Sequence, residues 1–290
     1  MAYDVVTAGN FTRDTVVSAA GARQVDGGGF AYAAHAARVA GLRVAAVTRL
    51  AHADFPVLEP LREAGVTVFA YQSAHSTLLR LEYPTTDPDQ RTVTVTDTAD
   101  PIEPRHLEGI ESAAVVVNAS LRGEVPLATL EVLRARARVL ALDVQGFLRV
   151  ADDRGRLAHA PWPDAERVLR LVDVLKADAV EAEFLTAAND HVQAARALAA
   201  LGPREVVLTH ASGVLVLAEG DVHQAPFRPR ELRGRSGRGD TCIGAYVSKR
   251  LTSSPAEATR WAAAVTSLKL EAEGPIRRPP ADVLALLDEG

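Results

Sequence analysis

Cysteine is almost missing from this chain: Cys242 is the one thiol in 290 residues. A single thiol excludes an intramolecular disulfide framework and any zinc site built on a cysteine cluster. A basic excess is missing too. Lys and Arg number 32 against 37 Asp and Glu, a net charge of −5, the wrong sign for a protein that grips nucleic acid through a basic surface. No apolar run approaches the roughly 18 residues that a membrane-spanning helix needs. The first residues, Met1-Ala2-Tyr3-Asp4, carry neither a basic segment nor a long apolar one. The expectation is therefore a cytoplasmic protein without a secretory signal. The eight histidines form no ligand-like cluster. There is no internal repeat and no low-complexity tract. A P-loop is absent, because no glycine-rich segment runs into Gly-Lys-Ser/Thr, and no G-x-G-x-x-G follows the first strand.

What is present is ordinary globular composition, 48% apolar and 24% charged, enough for one large domain or a domain with a small appendage. Short Val-rich runs alternate with Ala-, Leu- and Arg-rich stretches. Strands are expected at Val5–Ala8, Val44–Thr48, Val66–Ala70, Ala114–Val117, Val139–Leu142, Val172–Leu175, Val206–Thr209 and Val214–Ala218. Helices are expected at Phe30–Ala40, Val57–Ala64, Gly239–Leu251, Pro255–Glu273 and Ala281–Leu287. Continuous apolar strands with helical crossovers predict an α/β fold around a mostly parallel sheet covered on both faces. Two regions break the rhythm: residues 15–25 and 76–98 alternate polar and apolar, the pattern of half-exposed strands. With Asp87-Pro88-Asp89-Gln90 as a turn, the second region reads as a hairpin off the main sheet, placed to act as a lid.

The strongest local motif is Ser236-Gly237-Arg238-Gly239-Asp240, directly before an apolar helix. Small residues there let consecutive N–H groups point outward, and a helix N-terminus adds its dipole, which together make an anion site. Asp240 has two readings at this point, a helix N-cap or a base beside a bound phosphate. Gly27-Gly28-Gly29, opening the helix that begins Phe30-Ala31-Tyr32, is either a flexible turn or a close approach to a ligand. Cys242 is a small buried residue or a low-pKa thiol. The tripeptide Arg238-Gly239-Asp240 and the sequon Asn118-Ala119-Ser120 have no adhesive or glycosylation meaning in a cytoplasmic protein.

The two glycine motifs together resemble the signatures of the ribokinase (PfkB) carbohydrate-kinase family. Gly9-Asn10 with Asp14, Leu142 to Arg149, Leu175 to Glu181 (similar to K-P-N-x-x-E) and Val206 to Gly213 extend the likeness along the whole chain. The resemblance implies one ribokinase-like unit over residues 1–290 with a β lid. It implies a kinase transferring phosphate from ATP, with Mg²⁺, to a hydroxyl of a sugar or polyol. Asp240 would be the base; Gly237, Arg238 and Gly239 the anion hole. Asp14, Gly28, Gly29, Tyr32, Asn118 and Arg149 would hold the acceptor. Lys176, Thr209 and Gly213 would hold the nucleotide, and Glu181 with Asp178 the metal. It further implies no nucleic-acid or membrane partner, and a homodimer through the lid. Departures qualify this reading. Arg238 stands where alanine is usual, Asp178 replaces asparagine, and Tyr32 replaces a sugar-binding asparagine, which points away from simple ribose. The stretch Thr209-His210-Ala211-Ser212-Gly213 is a glycine short. A nucleoside or inositol kinase, or a kinase-fold binder without turnover, are the alternatives.

Overall fold

The computed structural model describes residues 2–19, 21–85 and 91–289. Its main sheet comprises β1 (Ala2–Ala8), β4 (Val44–Ala51), β5 (Thr67–Ser73), β8 (Glu111–Val117), β9 (Ala137–Asp143), β12 (Val174–Asp178), β13 (Glu205–His210), β14 (Gly213–Ala218) and β15 (Asp221–Pro226). They lie in the order β15-β14-β13-β12-β9-β8-β1-β4-β5. The pairs from β13 to β5 are parallel, and β14 and β15 close one edge antiparallel. The expected mostly parallel sheet is what forms.

Successive side chains on each strand enter different cores, as a two-residue period requires. Val5 and Val207 pack on one side with α1 (Gly29–Val39), α8 (Arg238–Arg250), α9 (Pro255–Leu270) and α10 (Pro280–Asp288). Val6 and Val206 pack on the other with α3 (Leu127–Arg136), α5 (Ala165–Leu169), α6 (Ala179–Thr186) and α7 (His191–Ala199). Both faces are thus buried, which is why the strands read as unbroken apolar runs. The expected helix at Val57–Ala64 is a 3₁₀ turn, His52–Leu58, leading into the short α2 (Glu59–Glu63), since Pro56 and Pro60 interrupt the α-helical bonds.

A second sheet has the order β3-β2-β6-β7, with β2 (Thr12–Ser18), β3 (Gly21–Gly27), β6 (Thr77–Glu82) and β7 (Thr92–Asp97). β6 and β7 pair antiparallel; the turn expected at Asp87–Gln90 lies outside the described residues. Alternation puts Asp14, Val25, Leu79, Leu81 and Val93 on one face, because Asp14 pairs with Val25 and Leu79, and Leu81 with Val93. Between the main-sheet strands, α4 (Gln145–Leu148) and the small ribbon β10 (Arg149–Ala151) and β11 (Leu157–His159) complete the chain. No helix among the described residues is long and apolar enough to cross a membrane.

Strand order reverses at β1, whose neighbours are β8 and β4. In open parallel sheets ligands bind beyond the strand C-termini at such a switch point. Here that crevice holds Gly9, Asn10 and Asn118, with the Asn118 N–H donating to Ala8 O at 2.8 Å.

Candidate active site

The N-terminus of α8 is bare. Its cap is Gly237, in the left-handed conformation at φ 74°, and no side chain caps it. Asp240, in the first turn rather than at the cap, therefore does not spend its carboxylate on the helix end. That removes the N-cap reading. Arg238 N–H bonds Arg235 O at 3.3 Å, so this donor of the expected anion hole is turned inward. Among the described residues, the N–H groups of Gly237 and Gly239 have no acceptor, leaving two outward donors where the helix dipole is positive.

Three glycines here lie close against side chains from distant parts of the chain. A Cβ at Gly237 would lie 2.2 Å from the Tyr32 ring, one at Gly29 would lie 2.3 Å from Asp240 Oδ1, and one at Gly239 would lie 2.5 Å from Lys176 Nζ. The N-terminal glycine motif and the C-terminal one are therefore a single site, joined through Asp240. Asn118 Nδ2 donates to Asp240 Oδ1 at 2.9 Å and fixes the carboxylate. Burial pushes the Asp240 carboxyl up, against the pull of Lys176, Asn118 and Arg149. A stronger base in a half-buried position suits proton abstraction.

Asp240 stands where two cavities meet. The smaller, about 110 Å³, is lined by Asp14, Gly28, Gly29, Tyr32 and Arg149, with Leu79, Leu81 and Val93 of the second sheet as its apolar wall. The larger, about 290 Å³, is lined by Arg91, Lys176, Asp178, Thr209, Arg235 and Arg238. Arg91, Gln145, Ser236, Gly237 and Asp240 border both. In the smaller cavity Asp14 Oδ1 is buried without a hydrogen-bond partner. Burial raises this carboxyl to about 6, against Thr12, Arg149 and Arg91. A carboxylate oxygen buried in a cavity without a partner is placed to accept from ligand hydroxyls.

Behind the larger cavity, Lys176 is 3% exposed and bridges Asp143 at 3.0 Å and Glu181 at 3.6 Å. Burial works against its charge, but these carboxylates hold the ammonium protonated above its usual range. Asp178 and Glu181 form a capping box on α6: Glu181 N–H donates to Asp178 Oδ1 at 2.8 Å and Asp178 N–H to Glu181 Oε2 at 2.7 Å. Glu181, 1% exposed, sits behind Lys176 and does not line the cavity, whereas Asp178 does. Among the described residues no group of three metal-ligating side chains converges. Asp178 with phosphate oxygens and water is nevertheless a donor set that Mg²⁺ accepts.

Gly213 lines neither cavity. Its Cβ would lie 2.5 Å from Ala225 O, so the glycine serves the tight pairing of β14 with β15 rather than a nucleotide. Cys242 is fully buried and its thiol is pushed up to about 12 by burial; it is a packing residue.

Several participants escaped the sequence. Glu124, 6% exposed, accepts from the N–H groups of Asn10 and Ser120, tying together the two loops at the switch point. Burial raises it to about 7. Lys269, 1% exposed, donates to Gly234 O at 2.8 Å. Gln145 is brought in by the start of α4, and Arg91 and Arg235 by loops. No local motif marks any of them, since each contact joins segments far apart in the chain.

Two ligand cavities meeting at one base, with free N–H donors beside it, are the build of a group-transfer enzyme. Residues 2–282 match the model of the pfkB family carbohydrate kinases, and the chain belongs to this family of carbohydrate kinases. No curated protein sequence matches it. Among solved structures, a sulfate complex of a pyrophosphate-dependent kinase in the ribokinase family is 34% identical, with a TM-score of 0.90 over 97% of this chain and 99% of that one. A pyrophosphate-dependent kinase of that family, complexed with a pyrophosphate analogue and myo-inositol, is 32% identical, with a TM-score of 0.89 and the same coverage. Ribokinase from Arabidopsis thaliana, complexed with ribose and ATP, is 20% identical, with a TM-score of 0.78 over 99% of both chains; it shares the fold.

Proposed function

We propose that this kinase phosphorylates a hydroxyl of a cyclic polyol or sugar and draws the phosphoryl group from inorganic pyrophosphate in preference to ATP. The observation that carries the donor assignment is Arg238: it lines the larger cavity, and among the described residues its guanidinium has no carboxylate partner. A compact anion needs such cations and little else. An adenine needs an apolar slot, yet among the described residues of the lining Val180, 64% exposed, is the single aliphatic side chain and Tyr83 the single aromatic one. The pyrophosphate-dependent relatives at 34% and 32% identity support the same choice. ATP, the donor expected from the family resemblance, is the second reading.

In this mechanism the acceptor lies in the smaller cavity, its hydroxyls held by Asp14 and Arg149, its apolar ring face against Leu79 and Leu81. The small sheet is its lid, keeping water from competing as acceptor. Asp240, oriented by Asn118, takes the proton of the attacking hydroxyl, whose oxygen bonds the transferring phosphorus as the bridging P–O bond breaks and orthophosphate leaves. The N–H groups of Gly237 and Gly239 and the Arg238 guanidinium receive the charge that spreads over the transferring oxygens. Asp178 would hold Mg²⁺ largely through water, with Glu181 supporting from behind; the ion would neutralise donor phosphate charge. Lys176 and its carboxylates hold the floor of this cavity rigid.

Supplying the protein with pyrophosphate or ATP, over a panel of polyols and sugars with Mg²⁺, tests the donor. Turnover is expected with pyrophosphate and a cyclic polyol. Efficient turnover with ATP and none with pyrophosphate would return the assignment to ATP.

A pH dependence follows for the acceptor. Asp14 must be ionised to accept from hydroxyls, and its carboxyl titrates at about 6, so the competent form is present above that pH and is lost below it. The acceptor KM is expected to rise as the pH falls through about 6, approaching tenfold per unit well below it. Asp14→Asn should raise KM at neutral pH and flatten this profile. A wild-type KM that does not change across that range would remove Asp14 from the acceptor site.

A further inference from the structure

Lys269 has no part in the transfer chemistry described above, yet it is a buried cation beside it. It lies in the last turn of α9, where the helix dipole favours positive charge. Its ammonium donates to Gly234 O at 2.8 Å and stands 5.5 Å from the centre of the Tyr32 ring, a cation–π distance. These two contacts reach both ends of one short segment. Gly234 opens the run into the anion hole. It is held to the end of α9 by further bonds, Arg233 N–H and Gly234 N–H donating to Leu270 O at 2.9 and 3.1 Å. Gly237 closes the run, and its Cα is covered by the same Tyr32 ring. Glycine at 234 is itself enforced, since a Cβ there would lie 2.3 Å from Ala272 O.

We infer that Lys269 is a positioning residue for phosphoryl transfer, an internal cation that clamps residues 234–237 through the Gly234 carbonyl and the Tyr32 ring. This rests on the kinase reading above. A neutral side chain of equal bulk would fill the space but leave the Gly234 carbonyl buried without a donor and Tyr32 without its charge. The segment would then sample positions in which the N–H groups of Gly237 and Gly239 miss the transferring oxygens. Neither Lys269 nor Tyr32 lines the donor cavity, so loss of the clamp should appear in kcat and not in the KM for pyrophosphate.

The test compares Lys269→Met, which preserves volume, with Lys269→Ala, which opens space for a small cation. Lys269→Met is expected to lower kcat roughly tenfold, short of the on the order of 10²-fold that a full ångström of misplacement costs. The KM for pyrophosphate should stay within about threefold. In Lys269→Ala, ammonium chloride should restore part of kcat where sodium chloride at equal ionic strength does not. Amide hydrogen exchange gives a readout independent of donor and acceptor. Exchange across residues 234–240 should quicken in both variants and slow again when ammonium is added to the alanine variant. If wild-type protein transfers phosphate to no sugar or polyol, the kinase reading fails while the exchange result still judges the clamp. Unchanged exchange in folded variants, or a kcat within about twofold of wild type, overturns the inference.

Discussion

Asp240→Asn should leave the fold and pyrophosphate binding intact and lower kcat by roughly 10²–10⁴, the contribution of a positioned general base. Three features make the substitution clean. Asparagine preserves the shape of the carboxylate, which matters where Gly29 approaches Asp240 Oδ1 so closely. The helix does not lose its cap, because Gly237 and not Asp240 occupies that position. The neighbouring charges also relax rather than suffer: Asp240 is one of several carboxylates crowded near Lys176, so neutralising it reduces repulsion among them. Thermal stability measured beside kcat separates the two roles. A base gives a large fall in kcat with stability held or raised, whereas a structural carboxylate gives the reverse. Activity within about threefold of wild type would remove Asp240 from the chemistry.

The ease with which Asp240 could be found, and the difficulty with Glu124 and Lys269, have one physical origin. Features set by local backbone geometry are written locally. The Val-rich runs of β1, β8 and β13 state that both faces are buried, and Gly237-Arg238-Gly239 states that a helix begins at a tight turn, with Asp240 open as cap or base until the structure puts Gly237 at the cap. The alternation at 78–82 and 92–96 states that those strands have one wet face. Contacts closed by the fold leave no such mark. Glu124 meets the N–H of Asn10 across 114 positions of chain, and Lys269 meets Gly234 across 35. In sequence, each is one charged residue among many. Asp178 and Glu181 show the opposite failure, a legible pattern with two meanings. Their three-residue spacing is the signature of a capping box as much as of a metal pair; the capping box forms, and Asp178 keeps its place in the cavity lining. Gly213 repeats the lesson: glycine in a strand records close approach, and here the partner is the backbone of β15 rather than a ligand.

Arg238 is where the donor assignment is most exposed to experiment. Arg238→Ala removes the guanidinium from the larger cavity and leaves the N–H donors of Gly237 and Gly239 in place. Hydrogen bonds to charged groups contribute on the order of 1.5–3 kcal/mol, so kcat/KM for pyrophosphate should fall roughly ten- to a hundredfold. How the loss divides is informative. A guanidinium that grips the donor equally before and during transfer raises KM alone, and one that meets charge developing on the transferring group lowers kcat. The geometry favours the second. Arg238 is the first residue of α8, adjacent to the bare N–H donors, where charge on the transferring phosphoryl converges. Arg238→Lys separates shape from charge, because an ammonium cannot hold phosphate in the forked, two-bond manner of a guanidinium. It should recover only part of the loss. Tested with ATP in parallel, the alanine variant should narrow the gap between donors, since the cation removed serves a compact anion more than a nucleotide. If Arg238→Ala retains kcat/KM for pyrophosphate within about twofold, the guanidinium faces solvent, and the preference for pyrophosphate loses its structural basis while the carbohydrate-kinase assignment stands.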